Sequence, residues 1–218
     1  MNKFFLRFTL SAALLATAVV SKAQKSWEGS IVFTIDVSGE GLPPEAKQMM
    51  EGSEMKVYMK GDKSRTDMKM AMQNTITIAD AKTKSSFILM DMMGQKIKMI
   101  NKDDGKKQPD VAVKELAETK EIAGYKCKKA ELTVPNQEPI TVYYTEEIGN
   151  NGYNTQMKGI KGYPLQFEVN QGGMKIGYTA KSVTKEKIED SKFTVDDKEY
   201  KVMTREELMK SMGGGGGH

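Results

Sequence analysis

Methionine is the side chain this sequence concentrates: seventeen occur, eleven of them between Met49 and Met99. Met68-Lys-Met-Ala-Met72 sets three thioethers on one face of an extended chain, and Met90-Asp-Met92 sets two on another, because alternate residues of a strand share a face. Three readings compete. Methionine fills irregular gaps in ordinary cores, and it also builds adaptable surfaces for apolar ligands. Soft thioether sulfurs select Cu(I), and same-face neighbours about 6–7 Å apart in a strand could converge on one ion. No histidine or thiol lies near these methionines, which lowers the copper reading, so no metal or cofactor is expected. The candidate ligand surface is Met55, Met59, Met68, Met70, Met72, Met90 and Met92, with an apolar ligand as its partner.

The residues of common catalytic systems are missing. His218 is the only histidine and ends a glycine run, which leaves no Ser-His-Asp or Cys-His nucleophile and no His-based metal site. No glycine loop for phosphate precedes a lysine, and no Gly-x-Ser-x-Gly elbow occurs. Asp103-Asp104, Glu146-Glu147 and Asp196-Asp197 sit in polar, turn-like stretches and read as solvated. The single cysteine, Cys127, cannot form an intramolecular disulfide, and alternation puts it on the face of Tyr125 as a small apolar residue. Pairing between chains is the minor alternative. A non-enzymatic protein is expected.

The first 23 residues read as an export signal. Lys3 and Arg7 precede an apolar run from Phe8 to Val20, too short to span a bilayer comfortably, and Ser21-Lys-Ala23 gives the small-x-small cleavage pattern. The mature chain is expected to start at Gln24, with no transmembrane anchor after cleavage, and to be soluble in the periplasm or outside the cell. The signal holds three of the 33 basic residues and no acidic one, which leaves 30 basic against 29 acidic and removes most of the net +4. A balanced chain offers little to nucleic acid or to an anionic membrane surface.

Period-two patterning dominates the remainder. Trp27, Gly29, Ile31, Phe33, Ile35 and Val37 alternate with Glu28, Ser30, Thr34 and Asp36, and Met55, Val57 and Met59 repeat the pattern. Further strands are expected at residues 75–79, 86–90, 96–100, 126–134, 140–145, 165–169, 174–180 and 183–188. Short helices are expected at 43–51, after Pro43-Pro44 and before Gly52, and at 109–117. A third is marked by Thr204-Arg-Glu-Glu207, a capping box leading into Leu208, Met209 and Met212. About ten or eleven strands at regular spacing imply a mainly β fold: one curved antiparallel sheet, curling as a half-barrel, with two or three short helices. Residues 24–212 form one domain and residues 213–218 a flexible glycine-rich tail.

Several segments carry a resemblance. Trp27-Glu-Gly-Ser-Ile-Val-Phe33, Tyr58-Met-Lys-Gly-Asp-Lys-Ser-Arg65, Ile76-Thr-Ile-Ala-Asp80, Glu121-Ile-Ala-Gly-Tyr-Lys-Cys-Lys-Lys129 and Phe193-Thr-Val-Asp-Asp-Lys-Glu-Tyr200 resemble a domain-of-unknown-function family of exported Bacteroidota proteins. More distantly, the order of strand, short helix and strands with a Gly-Asp-Lys-Ser-Arg turn is similar to the LolA-type periplasmic lipoprotein carriers. That resemblance implies an antiparallel half-barrel that binds acyl chains on its concave face, with Arg65 the nearest match to an arginine beside the cavity; read from the residues alone, Arg65 is a solvated arginine paired with Asp67 or another acid. A lipid or lipoprotein acyl chain is then the expected ligand. An envelope protein partner held on the same sheet is the alternative.

Overall fold

The structure, a computed structural model, describes residues 27–39, 52–71, 73–92, 94–102, 110–135, 137–149, 157, 159–171, 174–204, 207, 208 and 210. Twelve strands join in one sheet: β1 (Glu28–Ser38), β2 (Glu54–Lys60), β3 (Lys63–Lys69), β4 (Gln73–Asp80), β5 (Ser85–Met92), β6 (Gln95–Lys102), β7 (Ala112–Ile122), β8 (Tyr125–Thr133), β9 (Ile140–Thr145), β10 (Tyr163–Gln171), β11 (Met174–Thr184) and β12 (Lys201–Val202). Their order is β12-β6-β5-β4-β3-β2-β1-β11-β10-β9-β8-β7, so two meanders meet where β1 pairs with β11. Among the described residues β7 and β12 stay unjoined, and the sheet is open.

The alternation seen in the sequence is the alternation of burial. Ile31 and Phe33 are fully buried, and Ile35 nearly so, while Thr34 and Asp36 are exposed or half-buried at most. They nucleate a core of Trp27, Met55, Val57, Met59, Leu165 and Ala180. A second core joins Ala130, Leu132, Ile140, Val142 and Tyr144 to Met157 and Ile160. A sheet this wide accumulates the right-handed twist of its strands and curls. Lys120 Nζ on β7 donates to Gln166 Oε1 on β10 at 3.0 Å. Three strand spacings, about 14 Å in a flat sheet, separate those strands, so the β7 edge bends back over its neighbours.

Several expectations are corrected. Residues 112–117, read as part of a helix, are strand: β7 pairs with β8 from Ala112↔Thr133 to Glu115↔Ala130 and, past an irregularity, from Thr119↔Lys128 to Ile122↔Tyr125. The helix-forming Lys114 and Glu115 yield to the cross-strand ladder, Leu116 and Ala117 fall in its irregularity, and the charges suit an exposed edge. The segments 174–180 and 183–188 are not two strands, because β11 runs through to Thr184 past a bulge opposite Val32 and Phe33. The sheet is mixed and not purely antiparallel, since β12 pairs with β6 in parallel. Among the described residues it has twelve strands and little helix: a 3-10 turn at Asp190–Phe193 and a helical turn at Glu207 and Leu208. That last turn carries the expected capping box, with Thr204 N donating to Glu207 Oε2 at 2.7 Å and Glu207 N to Thr204 Oγ1 at 3.1 Å. The export signal, the helix at 43–51 and the tail at 213–218 lie outside the described residues. No helix among the described residues is long and apolar enough to cross a membrane.

Candidate functional site

The register of β2 to β6 sorts their side chains onto two faces. From Met55↔Met68, Met68↔Thr75, Thr75↔Met90 and Met90↔Ile97, one row runs across five strands and continues to Phe33 on β1. Beside it lie Val57, Thr66, Thr77, Ile88 and Met99, and then Met59, Ser64, Ala79 and Ser86. This face carries no charged residue from β2 to β6. The opposite face receives Glu54, Lys56, Lys60, Lys63, Arg65, Asp67, Lys69, Asp80, Asp91, Lys96 and Lys98. The sequence folds this way because its charges fall at alternate positions within each strand, and a one-residue slip in any register would carry them into the apolar face.

The uncharged face is closed at one end and open at the other. Met59, Ala79 and Ser86 are buried at the closed end. Met68, Thr75, Gln73 and Met92 are only half-buried, and Gln95 is exposed, towards the β3–β4 and β5–β6 turns. Two apolar clusters flank the middle. Met68 packs against the central core, and Met90 and Ile97 pack with Leu208, joined by Ile88, Met99 and Met203. Thr66, Thr75 and Thr77 form a half-buried hydroxyl stripe between them.

Of the residues named from the sequence, Met55, Met59, Met68, Met90 and Met92 share this face. Met70 does not extend the strand row. β3 ends at Lys69, and the Met70 N–H donates to the Gln73 carbonyl at 3.0 Å in the following turn, so the thioethers of the triplet do not line one strand. Met72 lies outside the described residues. Arg65 is on the other face, opposite Tyr58 and Ile78. Its Nε pairs with Asp67 Oδ1 at 2.5 Å, and its Nη1 donates to the Lys192 carbonyl at 3.0 Å. It therefore serves the packing of the C-terminal segment and does not reach the methionines. The threonine stripe, Ile88, Ile97 and Met99 were not singled out from sequence. Alternation within each strand marked them, but only the pairing order shows that they adjoin.

Cys127 is buried, and loss of solvent, with the Glu147 charge adding to it, pushes its thiol up to about 11. Such a thiol stays protonated and unreactive at neutral pH. Among the described residues no cluster of three or more His, Cys, Asp or Glu side chains is placed to hold a metal ion.

The family described as N-glycanase peptide, N-terminal domain, matches residues 51–207. No curated protein sequence matches the chain. Among solved structures, PNGF-II superposes with a TM-score of 0.52 at 20% identity, over 84% of this chain and 33% of that one. This chain thus spans about a third of the length of PNGF-II. An uncharacterized conserved protein from Thermus thermophilus gives a TM-score of 0.48 at 12% identity, over 82% of this chain and 91% of that one. The Mycobacterium tuberculosis lipoprotein LppX gives 0.37 at 10% identity, over 74% and 89%. The PNGF-II likeness bears on fold alone, whereas the family match covers most of the sequence from β2 to the capped turn. The chain belongs to the family of N-glycanase peptide N-terminal domains.

Proposed function

We propose that this domain is a non-enzymatic, exported binding module whose uncharged methionine face takes an apolar ligand, a lipid or lipoprotein acyl chain. The observation that carries the reading is the segregation of charge. Five adjacent strands keep their ionisable groups off one face, and that face is left half-buried towards the β3–β4 and β5–β6 turns. A fully packed core would give the same segregation with full burial, but Met68, Thr75, Thr77 and Met92 keep partial exposure. An extended acyl chain laid along the row from Phe33 to Ile97 would cross five strand spacings, about 24 Å. At about 0.8 kcal/mol per methylene buried, a long chain gains roughly 10 kcal/mol gross, much of it offset by chain ordering and lost freedom. Unbranched thioethers adapt to such a chain better than branched aliphatic side chains. The basic, apolar and small-x-small segments of the first 23 residues support export, and the resemblance to exported Bacteroidota proteins and LolA-type carriers agrees with an envelope setting.

A second reading, an interaction module for an envelope protein, has one observation in its favour. Ile100 and Val202, the large hydrophobic side chains most exposed among the described residues, both lie at the β6–β12 edge, Val202 opposite Lys98 and Ile100 two residues further along β6. Mass spectrometry of gently purified protein, with lipid extraction, separates the two. Co-purifying lipid at near-stoichiometric amounts supports the acyl reading. Lipid-free protein that also ignores an added acyl probe places the partner reading ahead.

A further inference from the structure

We propose that residues 185–204, together with Glu207 and Leu208, form a detachable clasp that closes the β5–β6 end of the methionine face and is latched from the back of the sheet. The inference rests on the ligand reading of that face for its purpose, but its geometry stands alone. Leaving β11, the chain is tied to β1 by Ser30 Oγ donating to Glu186 Oε1 at 2.5 Å and by the Ile188 N–H donating to Glu28 Oε1 at 2.8 Å. It then crosses the charged face. Ile188 and Phe193 pack on Tyr58 and Ile78, with Val195 alongside. Lys60 Nζ pairs with Asp190 at 3.0 Å, and Arg65 holds the Lys192 carbonyl. Further on, Lys98 pairs with Asp197 and Lys96 with Glu199.

At the sheet edge the segment turns the corner. Lys201 and Val202 pair with Ile97 and Lys98, and the Met203 N–H donates to the Lys98 carbonyl at 3.0 Å. The capping box at Thr204 then starts the turn that sets Leu208 on Met90 and Ile97. Phe87 and Met90 lie on opposite faces of β5, and the segment packs beside both. One continuous stretch therefore holds the back of the sheet, rounds the edge strand and covers the front.

The materials of the clasp are weaker than those of the sheet. Its ladder is two residues long, its acidic partners Asp190 and Glu199 are mostly exposed, and residues 189–192 are exposed throughout. Exposed ion pairs hold weakly and are screened by salt, so this segment opens before the ladders of β2 to β6 do. Opening would uncover Met90, Ile97 and Met99 and lengthen the open end of the face.

Methionine oxidation by dilute hydrogen peroxide, read peptide by peptide on the full chain, tests this without any ligand. Two variants are compared with the wild type: Lys96→Glu with Lys98→Glu, which reverses the latch, and Leu208→Ala, which removes the cover and leaves the sheet untouched. Met90 and Met99 are expected to oxidise about tenfold faster in both, while Met55 and Met59 keep the wild-type rate. An unchanged Met90, or Met55 and Met59 rising in step with it in both variants, would overturn the clasp. A fluorescent long-chain acyl probe is read separately. If the wild type ignores the probe while Met90 exposure still changes selectively, the ligand reading falls and the clasp stands.

Discussion

Met55 and Met68 stand directly opposite one another across β2 and β3, yet Met55 is buried and Met68 only half-buried. The boundary between core and surface therefore runs between two like residues on one face. What separates them is the neighbour beyond: Met55 has Phe33 of β1 on its other side, whereas Met68 has Thr75 of β4.

That contrast sets the expected response to truncation. Met55→Ala removes a packed side chain and should cost about 2–4 kcal/mol, the range for such core truncations. Met68→Ala should cost less than half as much, and Met68→Leu, which nearly conserves volume, under about 1 kcal/mol. Urea unfolding followed by circular dichroism measures all three, with unchanged m-values expected. Equal losses at Met55 and Met68 would mean that both belong to one closed core.

Copper gives a second contrast. Met68 lies near the close of β3 and Met70 in the turn, so the triplet does not present the regular two-residue spacing of a strand site. Replacing Met68, Met70 and Met72 by Leu together is expected to leave stability within about 1.5 kcal/mol of wild type. Titration of wild-type protein with Cu(I) under reducing conditions is expected to show no tight stoichiometric complex. Tight binding lost in the Leu variant would restore the metal reading.

Alkaline stability follows from two buried acids. Cys127 is raised from its ordinary value of 9.0 to about 11 by loss of solvent and the Glu147 charge. Tyr144 is raised from 10.0 to about 12 by loss of solvent and by its hydrogen bond to Glu115 at 3.1 Å. Both folded-state values lie above the unfolded ones, so their contributions are complete below pH 9 and are lost as pH rises through the folded values, between about 9 and 12. Melting temperatures should fall over that window, and less steeply in Cys127→Ala. Cys127 should also resist alkylation in native protein at about pH 8 and react once unfolded.

Two glycines mark close approaches of the backbone. A Cβ at Gly162 would lie 1.9 Å from the Thr145 carbonyl oxygen, and one at Gly29 would lie 2.2 Å from that of Thr184 and 2.7 Å from the Trp27 ring. Backbone cannot yield as a side-chain tip can. Gly162→Ala and Gly29→Ala should each destabilise by about 1–3 kcal/mol or more, measured by the same urea unfolding. Neutral behaviour at Gly162 would contradict the close approach of Gly162 to the Thr145 carbonyl where β10 begins beside β9.

Much of the sheet was legible because one face of each strand is buried, which forces alternation: β1 and β2 follow it except at Ser30 and Tyr58, which are buried on the other face beneath the C-terminal segment. β7 was not legible, because an exposed edge strand needs no apolar face and its composition favours helix. β11 looked like two strands because a bulge at Lys181, opposite Val32 and Phe33 of β1, lets Lys181 and Ser182 face solvent together. Arg65 could have been separated from the methionines by counting, since Met68 lies three residues on and faces the other way. The clasp was invisible, because Lys60 and Asp190 are 130 residues apart in the chain and pair only after the sheet has ordered β2 next to β3 and β4.

Acyl binding by the uncharged methionine face is best decided by titrating the purified domain with a fluorescent long-chain acyl probe alongside two charge insertions. Met68→Lys places an ammonium on the uncharged face, and Ile100→Lys places one on the back of the same sheet. Saturable binding is expected in wild type, weakened about tenfold or more in Met68→Lys and unchanged in Ile100→Lys. Absence of binding in wild type, or equal binding by both variants, would contradict it.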